Sequence, residues 1–160
     1  APKTAADPIA LDGASARLEG ERYLQYRVGA TIKAPPEKIW ALLTNARKYP
    51  CWNSTVVYVD GEIALDKEIQ LKAAIDPTRT FGLTVSAFEP NKHMVWQDGG
   101  SSFMGVRTFT LTPGADGTTA FTMKEVLTGT MMGMIAPHLP DFREAFTDFA
   151  RDLKAAAEAQ

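Results

Sequence analysis

Arg107 and Glu125 are the residues of this chain best placed to do chemistry, because strand alternation sets them opposite each other on an apolar face. In Gly105-Val106-Arg107-Thr108-Phe109-Thr110-Leu111, Arg107 shares its face with Phe109 and Leu111. In Phe121-Thr122-Met123-Lys124-Glu125-Val126-Leu127, Glu125 shares its face with Phe121, Met123 and Leu127. Pro113-Gly114-Ala115-Asp116-Gly117 supplies the turn between them. Folding about that turn pairs Leu111 with Phe121, Phe109 with Met123 and therefore Arg107 with Glu125. Charge on an apolar face is costly unless it is paired and hydrogen-bonded, so the pair requires a tight structural network or a polar spot inside a cavity. Three roles are open to it. It can brace the sheet and close one end of a cavity, it can anchor the carbonyl or carboxylate of a ligand through spare guanidinium donors, or it can take part in acid–base catalysis. The arginine partner favours the charged carboxylate, which argues against Glu125 as a general acid.

The elements that must hold this pair are legible from periodicity. From Tyr23 the chain alternates, with Leu24, Tyr26, Val28, Ala30 and Ile32 on one face and Gln25, Arg27, Thr31 and Lys33 on the other, which predicts a half-buried strand. Pro35-Pro36-Glu37 opens a helix whose apolar side is Ile39, Trp40, Leu42 and Leu43, and a second short helix or turn over Ala46 to Tyr49 ends at Pro50. Strands follow over Thr55 to Val59, Glu68 to Ile75, Arg79 to Phe88 and His93 to Gln97, and with the hairpin the count is seven. Leu139, Phe142, Phe146, Phe149 and Leu153 recur every three or four residues, marking a long amphipathic terminal helix that Pro137 and Pro140 kink or separate from a preceding turn. Residues 1–22, rich in Ala, Asp, Pro and Gly, are expected to be a loosely ordered leader with a short apolar contact at Ile9 and Leu11, and residues 23–158 a single domain.

Composition narrows the function classes. The 160 residues carry a formal net charge of -2 with basic and acidic groups interspersed, so no footprint for nucleic acid is expected. No apolar run reaches the roughly 20 residues that span a bilayer, and the expected setting is soluble and cytoplasmic, with export after signal cleavage as the alternative for a chain beginning Ala1-Pro2. The single Cys51 allows no internal disulfide and is expected to be a buried, inert thiol. His93 and His138 stand in different elements without matched ligand spacing, so neither a metal site nor a cofactor is expected.

Three segments together carry a family likeness: the first strand running into Ala34-Pro35-Pro36-Glu37-Lys38-Ile39-Trp40, the stretch Tyr49-Pro50-Cys51-Trp52-Asn53, and Phe142-Arg143-Glu144-Ala145-Phe146 with Asp152-Leu153-Lys154. Over about residues 23 to 157 the chain resembles the START and Bet v 1 superfamily, also called SRPBCC proteins, in its bacterial polyketide cyclase/dehydrase-like branch. The resemblance implies an α+β helix-grip fold: a curved seven-stranded antiparallel sheet around a long C-terminal helix, with two short helices after the first strand. It also implies a deep apolar cavity between sheet and helix, used in relatives for lipids, hormones, aromatic natural products or catalysis. The chain departs from the family pattern at Lys67, where a turn glycine is common.

Such a cavity gives ten candidate binding residues: Arg107, Glu125, Trp96, Phe109, Met123, Met134, Ile135, His138, Phe142 and Trp40. Each has a plainer reading. Aromatics at these spacings serve as core more often than as ligand walls, and a lone histidine more often makes a structural hydrogen bond. Met131, Met134, Ile135 and His138 fall on one line if the helix is continuous there, just where relatives have the cavity entrance, and methionines adapt to varied apolar ligands. Asp98-Gly99-Gly100-Ser101-Ser102 reads as a flexible loop or lid, without the context of a phosphate loop or nucleophile elbow. The leading expectation is a non-catalytic binder or carrier of a small hydrophobic or amphipathic ligand. The alternative is a cyclase/dehydratase-like enzyme on an aromatic substrate, with Arg107 polarising a carbonyl and Glu125 or Tyr26 handling a proton. A protein-interaction role would need an exposed apolar patch, and the terminal helix presents charge instead.

Overall fold

The computed structural model describes residues 7–159. Along the chain these form β1 (Ala16–Gly20), β2 (Tyr23–Ile32), α1 (Pro36–Thr44), α2 (Tyr49–Trp52), β3 (Val56–Asp60), β4 (Glu68–Ala73), β5 (Phe81–Glu89), β6 (His93–Gly99), β7 (Met104–Pro113), β8 (Thr119–Thr128), α3 (Met132–Ile135) and α4 (Arg143–Glu158). The strands make one curved antiparallel sheet of eight, in the order β1-β2-β8-β7-β6-β5-β4-β3. The count exceeds the expected seven because β1 comes from the region read as leader. Its five residues bury only Leu18, too little alternation to register as a strand, and the turn to β2 puts Arg22 rather than glycine or asparagine at positive φ.

The β7–β8 hairpin has the register that alternation required, with Leu111 opposite Phe121, Phe109 opposite Met123 and Arg107 opposite Glu125. The departure at Lys67 is absorbed one residue earlier, where Asp66 takes the left-handed conformation that aspartate tolerates.

β2 is buried on both faces, not one, with Gln25 and Arg27 only 1% and 2% exposed. The cause is the chain before β1. Asp12 bridges Ala30, the Gly13 amide donates to the Gly29 carbonyl, and Arg27 Nη1 donates to the Asp7 carbonyl at 2.8 Å. Ile9, Ala10 and Leu11 thus cross over the outer face of β2 at Gly29, and the apolar contact expected of Ile9 and Leu11 is part of a fixed cover.

On the concave side α4 supplies Phe146, Phe149, Ala150, Leu153 and Ala157 to the core. Phe149 is its centre, with ring contacts to Tyr49, Trp52, Phe109 and Phe121 at 5.8–6.5 Å. The polar side of α4 is tied down as well. Lys154 Nζ donates to the Thr31 carbonyl, Glu158 accepts from the Lys33 amide, and Asp152 accepts from the amide and hydroxyl of Ser54.

A Cβ at Gly29 would lie 2.6 Å from the Ala10 carbonyl oxygen, so backbone must move to admit it. Gly29→Ala is expected to cost about 1–3 kcal/mol in equilibrium urea unfolding and to make residues 7–13 accessible to protease. Unchanged stability and protection would mean that this segment does not cover β2.

Candidate functional site

Five adjacent strands place one inward residue each in a single row: Tyr26 of β2 opposite Glu125 of β8, Glu125 opposite Arg107 of β7, Arg107 opposite Trp96 of β6, and Trp96 opposite Val85 of β5. The row puts a cation and an anion on the concave face, each side chain keeping about a fifth of its exposure (19% and 20%). Arg107 Nε donates to Glu125 Oε1 at 2.7 Å, and the guanidinium carbon sits 5.0 Å from the centre of the Phe146 ring. That is the guanidinium's one hydrogen bond among the described residues, which leaves its two terminal nitrogens without a protein acceptor. The indole nitrogen of Trp96, next in the row, is buried without an acceptor among the described residues. Buried donors normally have partners, so this row has hydrogen-bonding capacity to spare.

The next row toward the open end of the sheet is Leu127, Gly105 and Asp98. A Cβ at Gly105 would lie 3.2 Å from Leu127 Cδ2 and 3.3 Å from Asp98 Oδ1, so the glycine makes room for the aspartate carboxylate on the floor. Burial, and after it the negative charge of Glu125, raise the pKa of Asp98 above its ordinary 3.8, with Arg79 opposing them.

These two rows floor a cavity of about 260 Å³. Leu71, Phe81 and Leu83 of β4 and β5 form one wall, Phe103 and Leu127 another, and Leu139, Pro140 and Phe142 cover it from the segment before α4. Its rim is polar, with Asp76 and Arg79 from the β4–β5 hairpin and His138 facing it. Arg79 lies over the Phe81 ring at 4.9 Å. The hollows beside Arg47 and Tyr58, and beside Asn45 and Glu62, are open surface depressions.

Of the ten sequence candidates, Arg107, Glu125, Trp96, His138 and Phe142 line this cavity. Phe109 and Met123 do not. Fully buried in the row on the far side of Arg107 and Glu125, they are covered by the aromatic core, Phe109 touching Phe149 at 6.0 Å. Trp40 packs against Phe88 at 5.2 Å and lines no part of the cavity. Met134 is 67% exposed on α3, and Ile135 beside it is likewise absent from the walls. The reason is the proline pair: α3 gives way to a 3₁₀ turn over Ala136–His138 and α4 begins only at Arg143, so the expected line from Met131 to His138 is not one helical face.

Other expectations change too. Asp98–Ser102 is no free lid, since Asp98 and Gly99 end β6, Gly100 donates to the Phe103 carbonyl, and Ser101 and Ser102 accept from the amides of Thr130 and Met131. Tyr26 is packed rather than poised, its ring against Phe142 and Phe146 and its hydroxyl accepting from Arg17 Nε at 3.2 Å. Cys51 is exposed because α2 turns Tyr49 inward in its place. Burial pushes the Tyr49 hydroxyl pKa far up, and it donates to the Leu43 carbonyl at 2.6 Å. Among the described residues no three metal-ligating side chains converge, and no helix is long and apolar enough to cross a membrane.

Three charged cavity residues, Asp76, Arg79 and Asp98, lie outside the sequence candidates. Asp98 carries a readable signal, because Met94, Trp96 and Asp98 alternate on one face of β6. Arg79 lies in a hairpin turn, where no periodicity points inward.

Removing one member of the ion pair leaves the other part-buried and unmatched. Arg107→Met is expected to destabilise by about 1–3 kcal/mol, and Arg107→Met with Glu125→Met by less than the sum of the single variants, read from urea unfolding. Asp98 has the opposite sign. The native state holds its proton more tightly than the unfolded chain does, so stability falls as pH rises from 3.8 through the raised native value. Asp98→Asn is expected to remove that fall, raising Tm relative to the parent more at pH 7 than at pH 4.

Comparison with known proteins places this geometry. Solved structures similar to the chain include a START superfamily protein from Mycobacterium smegmatis (17% identity, TM-score 0.62, covering 84% of this chain and 97% of that one). A protein from Chromobacterium violaceum gives 15% identity and TM-score 0.67 over 85% of this chain and 99% of that one. A protein from the dynemicin biosynthetic locus gives 18% identity and TM-score 0.62 over 85% of this chain but 47% of that one. At these identities the likeness is one of fold. No curated protein matches the sequence. The family model described as polyketide cyclase / dehydrase and lipid transport matches residues 24–158, from the strand that carries Tyr26 to the end of α4, and the chain belongs to that family.

Proposed function

We propose that the protein binds or carries a small hydrophobic or amphipathic molecule in the cavity between the sheet and the segment leading into α4, with Arg107 and Glu125 as its polar end. The observation that carries this reading is the pair of terminal guanidinium nitrogens without a protein acceptor at the floor of a largely apolar cavity. An apolar body buried against Leu71, Phe81, Leu83 and Leu127 supplies affinity at about 25 cal/mol per Å² removed from water, and one oxygen on Arg107 supplies orientation. A cavity of about 260 Å³ is at the small end for ligand sites, which suits a body of one or two rings or a short chain. The family description, which includes lipid transport, supports the same reading.

One observation favours a second reading, a cyclase- or dehydratase-like enzyme acting on an aromatic substrate. Asp98 holds its proton above the ordinary range while Arg107 offers donors one row away. In that reading Arg107 polarises a carbonyl and Asp98, in place of Glu125 or Tyr26, transfers the proton. A pH–rate profile whose limb disappears in Asp98→Asn supports it.

Native mass spectrometry of the protein purified from its own host, followed by extraction, tests the binding reading. The expected outcome is a retained apolar or amphipathic compound whose occupancy falls at least about tenfold in Arg107→Ala, the equivalent of one charge-assisted hydrogen bond. A protein that is empty and takes up no member of a panel of short-chain fatty acids, fatty alcohols and one- and two-ring phenols overturns it.

A further inference from the structure

The charges around the cavity say more about the ligand than its volume does. Two arginines, three carboxylates and one histidine line it. Arg107 is already matched by Glu125 at 2.7 Å. Arg79, the second cation, acts on Asp98, and Asp76 is the third acid. Apart from the histidine, the two arginines do not balance the three carboxylates, so the lining carries one negative charge in excess. An anionic head would therefore meet a surface already negative, whereas the free terminal nitrogens of Arg107 remain good donors to an uncharged oxygen.

We propose that the cavity selects ligands with an uncharged polar head, a hydroxyl or ketone on an apolar body, and turns anions away, with Asp98 as the residue that sets this preference. The proposal rests on the cavity-binding reading above. Asp98 is the deciding residue because it is the acid on the floor that makes no ion pair among the described residues, in the row adjoining Arg107 and given its space by Gly105. The charged and titratable groups that share the cavity lining with it are Arg107 from β7, Glu125 from β8, Asp76 and Arg79 from the β4–β5 hairpin, and His138 from the turn before α4; α4 contributes no residue to the lining. Glu125 works against the Asp98 charge and Arg79 supports it. Protonating Asp98, or replacing it by asparagine, brings the lining to neutrality and weakens the exclusion.

Two naphthalenes that differ in the head alone test this: 2-naphthol, uncharged below about pH 9 as a phenol, and naphthalene-2-sulfonate, an anion throughout. Isothermal titration calorimetry at pH 7.5 is expected to show 2-naphthol binding at least about tenfold more tightly, the size of one like-charge contact several ångströms away at intermediate dielectric. Desolvation of the sulfonate adds to any such gap, so the deciding measurement is the change in the ratio. Asp98→Asn at pH 7.5 is expected to narrow it about tenfold. In the parent protein the ratio narrows as pH falls toward the raised Asp98 value, and the Asp98→Asn arm, at fixed pH, assigns the effect. A ratio that neither Asp98→Asn nor pH alters, or a sulfonate bound as tightly as the naphthol at pH 7.5, overturns the charge selection and leaves the cavity reading standing. Failure of both probes to bind overturns the cavity reading, and this proposal with it.

Discussion

The ion pair between Arg107 and Glu125 is the interaction around which the concave face is organised. A cation and an anion can occupy that face only if their strands hold one register, because a slip of one residue turns both side chains to the other side. The turn at Ala115–Gly117 and the apolar pairs Leu111–Phe121 and Phe109–Met123 fix that register from one direction. From the other, Phe146 of α4 lies over the guanidinium, so the start of the helix and the middle of the sheet meet at a charge rather than at a methyl group. On one side of this row the interior is packed with aromatics around Phe149; on the other it is open.

The opening has two causes that act together. On the floor, Gly105 replaces a side chain that would fill the space between Leu127 and Asp98. Overhead, Pro137 and Pro140 delay the helix, so the chain from Ala136 to Phe142 crosses the mouth as a turn and an extended segment in place of a packed apolar stripe. Either feature alone would leave the neighbouring element able to close the gap, since interiors default to close packing. The cavity is therefore a property of residues in two elements far apart in the sequence that face each other across the sheet.

Much of this arrangement is legible in the sequence. Alternation set the register of the hairpin and placed Arg107 against Glu125, and the spacing of Phe146, Phe149 and Leu153 marked the helix that covers them. β1 was not legible, because five residues with one buried side chain carry no usable period. The second face of β2 was missed for a related reason. Arg27 and Gln25 look solvent-facing by type, and the segment before β1, which crosses this face and holds Arg27 at the Asp7 carbonyl, has no period that announces it. Within the candidate site, the walls from β6, β7 and β8 follow from parity, while Arg79 and the loss of Met134 and Ile135 depend on turn geometry that periodicity does not encode. Asp98 lay between these cases, on the right parity but at the end of a strand that runs into glycines.

Arg107 and Glu125 have a sufficient structural account, each being the partner that makes the other tolerable on an apolar face. Asp98 has no such account. Its burial works against its charge and so against the fold, its like-charged neighbour Glu125 adds to the cost, and the one arginine that offsets them reaches in from a hairpin turn. An asparagine would occupy the same space beside Gly105 without that penalty. Under the proposed binding role, a carboxylate that the packing does not require, set beside a guanidinium with unused donors in a cavity that the packing does not close, has its explanation in the ligand. That role sets the polar chemistry of the proposed ligand against Asp98 and the free edge of Arg107, and its apolar body along Leu71, Phe81 and Leu83.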